Sequence, residues 1–166
     1  MEPILSFYIA SKLQNHHIVH QWIQHLEKTY NWRCTFDWTT FPPLSRLLLN
    51  GSLTHEFKEQ AREISQQELD GVKSADFLLL LAPGGRGTHV ELGAALACNR
   101  PVFLFAEQSE EPYGPTSSPA YPCVFHHHPN VEIHYGPFTT QWLDRIVGQH
   151  ARRRVLEPTR NTQTVP

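Results

Sequence analysis

The sequence predicts an α/β protein, a single domain built on a parallel sheet of about five strands. Short β-type runs alternate along the chain with segments whose apolar residues recur at helical spacing, and this order is typical of parallel sheets. The run Phe77–Leu81 is continuously apolar, as expected for a strand that is buried on both faces. The chain has 166 residues, of which 40% are hydrophobic, so it can bury one sizeable core but not two.

The predicted elements follow one another in a regular order. Residues 4–10 predict the first strand, residues 15–30 a helix, and the alternation over 32–36 a second strand. Residues 37–53 are expected to form a loop or a broken helix. Helices on both faces of the sheet would give a flavodoxin/Rossmann-like three-layer sandwich. The later elements are an amphipathic helix over 54–73, the strand Phe77–Leu81, a helix from Thr88, a strand over 101–105, short β-type runs over 123–125 and 131–133, and a last helix capped by Thr139 or Thr140.

Two segments show no periodic spacing of apolar residues. Residues 106–122 are rich in Pro, Gly and Ser and are expected to form a functional or mobile loop, with Tyr113 and Tyr121 as candidate lid or interface aromatics. Residues 151–166 are polar and contain four Arg, so we expect a disordered basic tail after a folded domain of residues 1–150.

Composition excludes several classes of protein. The tail contributes +3 to the net charge of −2, which leaves residues 1–150 mildly acidic and argues against a nucleic-acid partner. The longest apolar run falls far short of the about 20 residues of a membrane span, and the N-terminus does not resemble a signal peptide. We therefore expect a soluble cytoplasmic protein. Cys34, Cys98 and Cys123 form no CxxC pair, so neither a disulfide framework nor a structural zinc site is indicated.

The histidines do not predict a metal site. His16 and His20 lie four residues apart on a predicted helix and can share a face, but no third ligand is evident. His126, His127 and His128 are adjacent, so they cannot all face one ion. No metal ion and no cofactor is predicted.

The glycine loop after Phe77–Leu81 is the first place to seek a ligand site. Ligands of open parallel sheets bind beyond the carboxyl ends of the strands, where a helix N-terminus offers unpaired N–H groups to an anion. Gly84, Gly85 and Gly87 allow close approach of the backbone. Arg86 either grips a phosphate or is a solvated loop residue.

Glu91 has two possible roles. Thr88-His89-Val90-Glu91 matches a capping box, in which the Glu side chain returns to the backbone N–H of the cap residue. On spacing alone that role is favoured over a chemical one.

The sequence GGRGTHVELGAALA resembles the glycine loop and nucleophile helix of the nucleoside 2-deoxyribosyltransferase family. This family includes the 2′-deoxynucleoside 5′-monophosphate N-glycosidases and the CMP N-glycosidases. The resemblance places the family's nucleophile at Glu91 and makes residues 1–150 a deoxyribosyltransferase-like domain. The loop PGGRGTHVE is also similar to the signature of the cytokinin-activating phosphoribohydrolases, which cleave the same kind of bond.

The resemblance supplies two further candidate catalytic residues. FYIAS resembles the family's first strand and implies that the hydroxyl of Tyr8 holds the nucleophilic carboxylate, although a core aromatic is the alternative. ELDGVKSAD resembles the segment that carries the acid/base, at Glu68. Most compared members have Asp there, and the extra methylene shifts the carboxyl by more than about 1 Å. Asp70 is the second candidate for this role.

The function implied is cleavage of the N-glycosidic bond of a (deoxy)nucleoside or its 5′-monophosphate through a covalent glycosyl-Glu intermediate. The sugar would pass to water or to a second nucleobase, without a cofactor. The loop residues Gly85, Arg86, Gly87 and Thr88 would bind substrate, and the family implies a homo-oligomer. Two alternatives stay open: a nucleotide-sensing module in which Glu91 only caps its helix and grips a ribose, and an NAD-cleaving domain of the Toll/interleukin-1 receptor type.

Overall fold

A computed structural model of the chain describes residues 4–41, 48–49, 52–107 and 123–156. Tyr113, Tyr121 and residues 157–166 lie outside this part of the chain. The strands are β1 (Ser6–Ala10), β2 (Arg33–Cys34), β3 (Leu48–Leu49), β4 (Ser52–Leu53), β5 (Phe77–Leu81), β6 (Val102–Ala106) and β7 (Val131–Tyr135), and the helices are α1 (His16–Tyr30), α2 (His55–Ser74), α3 (Arg86–Ala97) and α4 (Thr140–Leu156).

Five strands form one parallel sheet in the order β2-β1-β5-β6-β7. The central strand is β5, and all five of its residues are buried. Asp76, just before β5, accepts hydrogen bonds from the Ser6 amide and hydroxyl at 2.7 and 2.8 Å, which holds β1 and β5 in register. The predicted α/β fold with a five-stranded parallel sheet is confirmed. The remaining strands, β3 and β4, form a separate antiparallel pair.

Alternate residues of the strands build two apolar layers, one on each face of the sheet. On one face, Phe7, Phe77 and Phe105 pack with buried side chains of α1 and α4. On the other face, Tyr8 and Leu78 pack with buried side chains of α2 and α3. The two faces make the three-layer sandwich, and they place Tyr8 on the side of the sheet that α3 covers.

Three predicted boundaries differ from the structure. Helix α3 starts at Arg86 rather than Thr88, because Gly85 is the cap residue and its amide donates to the Thr88 hydroxyl at 3.1 Å. Residues Val124–His127 form a 3₁₀ helix instead of a short strand. The expected end of the domain at residue 150 falls inside α4, and Ala151 is fully buried against the sheet. None of the described helices is long and apolar enough to span a bilayer.

Gly71 sets how closely α2 approaches β1. A Cβ at this position would lie 2.8 Å from the Phe36 Cβ and 3.1 Å from Cδ2 of Tyr8. Distances this short require the neighbours to move, and the Tyr8 ring is fully buried. Glycine at position 71 therefore lets α2 pack directly onto the ring of Tyr8.

We expect Gly71→Ala to lower the free energy of unfolding by about 1–3 kcal/mol, since overpacking outweighs the gain in helix propensity. The matched control is Gly93→Ala in α3, where a Cβ meets nothing within 4 Å. That variant should gain about 0.5–1 kcal/mol from propensity alone. Urea unfolding of both variants tests the packing, and a Gly71→Ala protein as stable as Gly93→Ala would contradict it.

Candidate active site

A pocket of about 320 Å³ opens beyond the carboxyl end of β1, beside the start of α3. Its size is within the range of small-molecule sites. The position agrees with the rule that ligands of open α/β sheets bind outside the carboxyl ends of the strands. The pocket is lined by Ser11, Lys12, Leu13, Gln14, Trp38, Glu68, Gly85, Gly87, Thr88 and Glu91.

Tyr8 and Glu91 meet in the layer between the sheet and α3. The Tyr8 hydroxyl donates to Oε1 of Glu91 at 2.5 Å, and both residues are buried. Glu91 lies on the same buried side of α3 as Leu92 and Ala95, so an acid takes a place in an apolar stripe. The capping box suggested by the spacing is not formed, because the Glu91 carboxylate faces Tyr8 and the Thr88 hydroxyl accepts from Gly85.

Burial dominates the electrostatics of Glu91. It raises the pKa of the carboxyl from an ordinary 4.5 to about 7, with a further upward contribution from the charge of Glu68. The hydrogen bond from Tyr8 acts in the opposite direction and lowers this pKa. Burial, followed by the charge of Glu91, raises the pKa of Tyr8, so the phenol keeps its proton and acts as the donor. Glu91 therefore titrates close to neutral pH.

The structure distinguishes the two candidate acid/base residues. Glu68 is half-buried on the pocket wall, where burial raises the pKa of its carboxyl. Asp70 is 75% exposed and pairs with Lys73 at 3.4 Å on the outer face of α2. The structure therefore brings Glu68 and Glu91 into one pocket and leaves Asp70 outside it.

The glycine loop contributes to the pocket through some of its residues. Gly85, Gly87 and Thr88 line the pocket, at the N-terminus of α3 where backbone N–H groups lack intrahelical partners. Arg86, the first residue of the helix, is exposed and does not line the pocket. The cation that does line it is Lys12, which follows β1 and is half-buried.

Sequence reasoning missed Ser11, Lys12 and Gln14. Their position directly after the first strand was a usable signal, since that end of the sheet was already the expected ligand site. Trp38 also lines the pocket, and its indole N–H donates to the Ile9 carbonyl at 2.8 Å. Its ring is therefore held in place by the end of β1.

The histidines are arranged differently from the sequence expectations. His20 does not pair with His16, because its Nδ1 lies 3.0 Å from the Thr39 hydroxyl and 3.3 Å from Asp37. His126 is buried, and it lies next to Cys123 of its own segment and to His89, which is distant in sequence. This His89–Cys123–His126 cluster contains no residue that lines the pocket.

Comparisons with known proteins agree with the fold. A family model described as nucleoside 2-deoxyribosyltransferase matches residues 7–134. The structure resembles that of the Clostridium botulinum CMP N-glycosidase BcmB with a TM-score of 0.52 and 19% sequence identity, over 84% of this chain and 96% of that one. A comparison with curated protein sequences found no significant match.

We expect Glu91→Gln to stabilise the protein in a pH-dependent way. The folded-state pKa of about 7 exceeds the unfolded value, so the protonated carboxyl is favoured at low pH and stability is lost as the pH rises through 7. The amide of the Glu91→Gln variant does not ionise, so the variant does not lose stability as the pH rises. Relative to the wild type, its free energy of unfolding should be higher by up to about 3 kcal/mol at pH 8 and almost unchanged below pH 4.5.

Urea unfolding at pH 4.5 and pH 8 measures this effect. The control is Asp70→Asn, an exposed acid of α2 that should show no comparable change between the two pH values. A Glu91→Gln variant that gains the same free energy at both pH values would rule out a buried ionising carboxylate.

Proposed function

Because the chain belongs to the nucleoside 2-deoxyribosyltransferase family, we propose that it cleaves the N-glycosidic bond of a (deoxy)nucleoside or its 5′-monophosphate. The sugar would pass to water or to a second nucleobase. The observation that carries the proposal is the buried Tyr8–Glu91 hydrogen bond at a pocket that Glu68 also lines. Two acids at one pocket, one of them hydrogen-bonded to a buried phenol, are the groups that this chemistry needs.

Glu91 is the proposed nucleophile. N-glycosidic cleavage develops positive charge at the anomeric carbon, which a carboxylate can attack to form a covalent intermediate. The bond from C1′ to the base nitrogen breaks, and a bond from C1′ to a Glu91 oxygen forms. Burial favours this role, because a carboxylate removed from water is poorly solvated and gains by neutralising the cationic sugar.

Glu68 is the proposed acid/base. It would give its proton to the departing base, and its carboxylate would then remove a proton from the incoming water or second base. The acceptor attacks C1′, and the ester to Glu91 breaks. The raised pKa of Glu68 favours the protonated form that the first step requires.

Tyr8 is the proposed orienting residue. Its hydroxyl occupies Oε1 of Glu91, which leaves Oε2 as the oxygen available to the sugar. The same hydrogen bond stabilises the carboxylate form and limits the rise of its pKa. The phenol thus fixes both the direction and the ionisation of the nucleophile.

The start of α3 suits the 5′ side of a nucleotide. Gly85, Gly87 and Thr88 present the helix N-terminus to the pocket, and Lys12 adds a positive charge. We therefore favour a 5′-monophosphate over a free nucleoside, and the similar structure is that of a CMP N-glycosidase. Arg86 would contribute only by turning inward from the surface.

We expect the purified protein to release base from at least one of dCMP, CMP, dGMP or a free deoxynucleoside. Adding a second base separates transfer from hydrolysis by the appearance of a new nucleoside. Glu91→Gln should lower the rate by at least about 10³-fold because the variant has no nucleophile, whereas Asp70→Asn should stay near wild type. Chromatography of the reaction products measures both rates.

A folded protein that releases no base in any mixture would overturn the enzymatic proposal. Retained nucleotide affinity in both the wild type and Glu91→Gln, without turnover, would instead support the sensing module. Substantial activity of Glu91→Gln would remove Glu91 from the role of nucleophile.

The dependence of kcat/KM on pH should have an ascending limb near pH 7, where Glu91 ionises. Tyr8→Phe removes the hydrogen bond that lowers the pKa of Glu91, so the ascending limb should move to higher pH. The activity of this variant should be about tenfold to hundredfold lower. Glu68→Gln removes the charge that raises the pKa of Glu91, so the limb should move to lower pH. Profiles of kcat/KM from pH 5 to 9 measure these shifts of the ascending limb. Equal shifts in one direction for both variants would contradict the opposite effects of Tyr8 and Glu68 on the pKa of Glu91.

A further inference from the structure

The His89–Cys123–His126 cluster joins two segments that are far apart in sequence. His89 lies in the first turns of α3, while Cys123 and His126 belong to the cap and the body of the 3₁₀ helix Val124–His127. One potential ligand atom from each of the three side chains lies within 4.8 Å of the others. We propose that these residues bind one Zn²⁺ ion, at a site separate from the active-site pocket.

The hydrogen bonding of His89 prepares one ring nitrogen for a metal. Its Nδ1 lies 2.8 Å from the Gly85 carbonyl oxygen, which can only accept, so Nδ1 carries the proton. The lone pair is then on Nε2. Zinc-bound histidines commonly donate their other ring N–H to a carbonyl or carboxylate in this way, which fixes the tautomer and the ring orientation.

His126 contributes a buried nitrogen that lacks a partner. The residue is 3% exposed, and its Nδ1 has no hydrogen bond with any residue in the described part of the chain. Buried polar atoms are satisfied in the large majority of cases, so an unpaired one points to a missing partner. Coordination of a metal ion through this nitrogen would supply it.

The ligand set favours zinc. Imidazole nitrogen and thiolate sulfur are both zinc ligands, and zinc sites with three protein ligands keep a fourth position for water. Tetrahedral zinc holds such atoms about 3.3–3.6 Å apart, given its bond lengths. The three ligand atoms lie within 4.8 Å of one another, so they would have to move about 1 Å closer together to bind zinc. His89 is exposed and Cys123 half-buried, so both side chains have room to move.

The site would stabilise the local structure rather than act on the sugar. His89 and Glu91 are two residues apart on α3, and His89 is exposed where Glu91 is buried. A bound ion would link the first turn of α3 to the segment Cys123–His127. It would also hold His89 against the Gly85 carbonyl, and Gly85 lines the pocket.

The test is metal binding by the full chain after removal of metals with a chelator. We expect calorimetry to give one Zn²⁺ per chain, and Co²⁺ to give a thiolate-to-cobalt charge-transfer band. Cys123→Ser should abolish the band, and His89→Gln should weaken zinc binding by at least about 100-fold, more than the loss of a supporting hydrogen bond. Both positions tolerate polar replacements without opening the core, and circular dichroism verifies folding.

The matched controls are Cys98→Ser, an exposed thiol at the end of α3, and His127→Gln, the neighbour of His126. Both should bind zinc as the wild type does. The proposal is overturned if the wild type binds no stoichiometric zinc, or if Cys123→Ser and His89→Gln bind as tightly as the controls. It is also overturned if half an ion binds per chain with dimerisation, or if His127→Gln loses binding as His89→Gln does.

Discussion

The hydrogen bond between Tyr8 and Glu91 is the contact on which the rest of the candidate site depends. It places a carboxylate inside the apolar layer between the sheet and α3, where ionisation is unfavourable without a donor. The surrounding structure fits this pair closely. Gly71 lets α2 come onto the Tyr8 ring, and the early start of α3 at Arg86 sets which residues of that helix face the sheet.

The two acids of the pocket differ in environment, and this difference suits two roles. Burial raises the pKa of the Glu91 carboxyl, and the hydrogen bond from the Tyr8 phenol opposes that rise and favours the ionised form. Glu68 is half-buried on α2 at the pocket wall, and burial favours its protonated form. Pairs of titratable groups whose surroundings separate their functions are a general feature of acid–base sites. The charge of Glu68 also raises the pKa of Glu91, so the ionisation of Glu91 depends on the state of Glu68.

The sequence predicted the sheet well, because continuous apolar runs and alternation report burial directly. The predictions from sequence were wrong where a local pattern is compatible with two different structures. Thr88 has the chemistry of a cap residue, but Gly85 takes that place and the Thr88 hydroxyl accepts its amide proton instead. Residues 123–125 are a short apolar run, which periodicity alone cannot assign to a strand or a helix. Arg152–Arg154 suggested a solvated tail, although Ala151 beside them is buried.

The site residues show the same limit. Family resemblance led to Tyr8, Glu68 and Glu91, whose proximity depends on the arrangement of β1, α2 and α3, which no local pattern reports. Lys12 belongs to no motif of the family resemblance, and its residue type does not distinguish it from a solvated surface lysine. Only its place in the pocket does so. The reverse occurred with Arg86, where the residue type suggested a phosphate ligand but the helix start directs the residue to the surface.

The first turns of α3 contribute to two chemically different clusters of side chains because of helical geometry. Residues two positions apart on an α-helix point about 200° apart, so His89 and Glu91 cannot share one environment. Glu91 faces the sheet, where burial makes its charge responsive to Tyr8 and Glu68. His89 faces outward, where it meets Cys123 and His126. Gly85 lies between the two clusters, since its carbonyl oxygen accepts a hydrogen bond from His89 and its amide donates to the Thr88 hydroxyl. Any ligand that fixes His89 would therefore also restrict the loop that borders the pocket, without entering it.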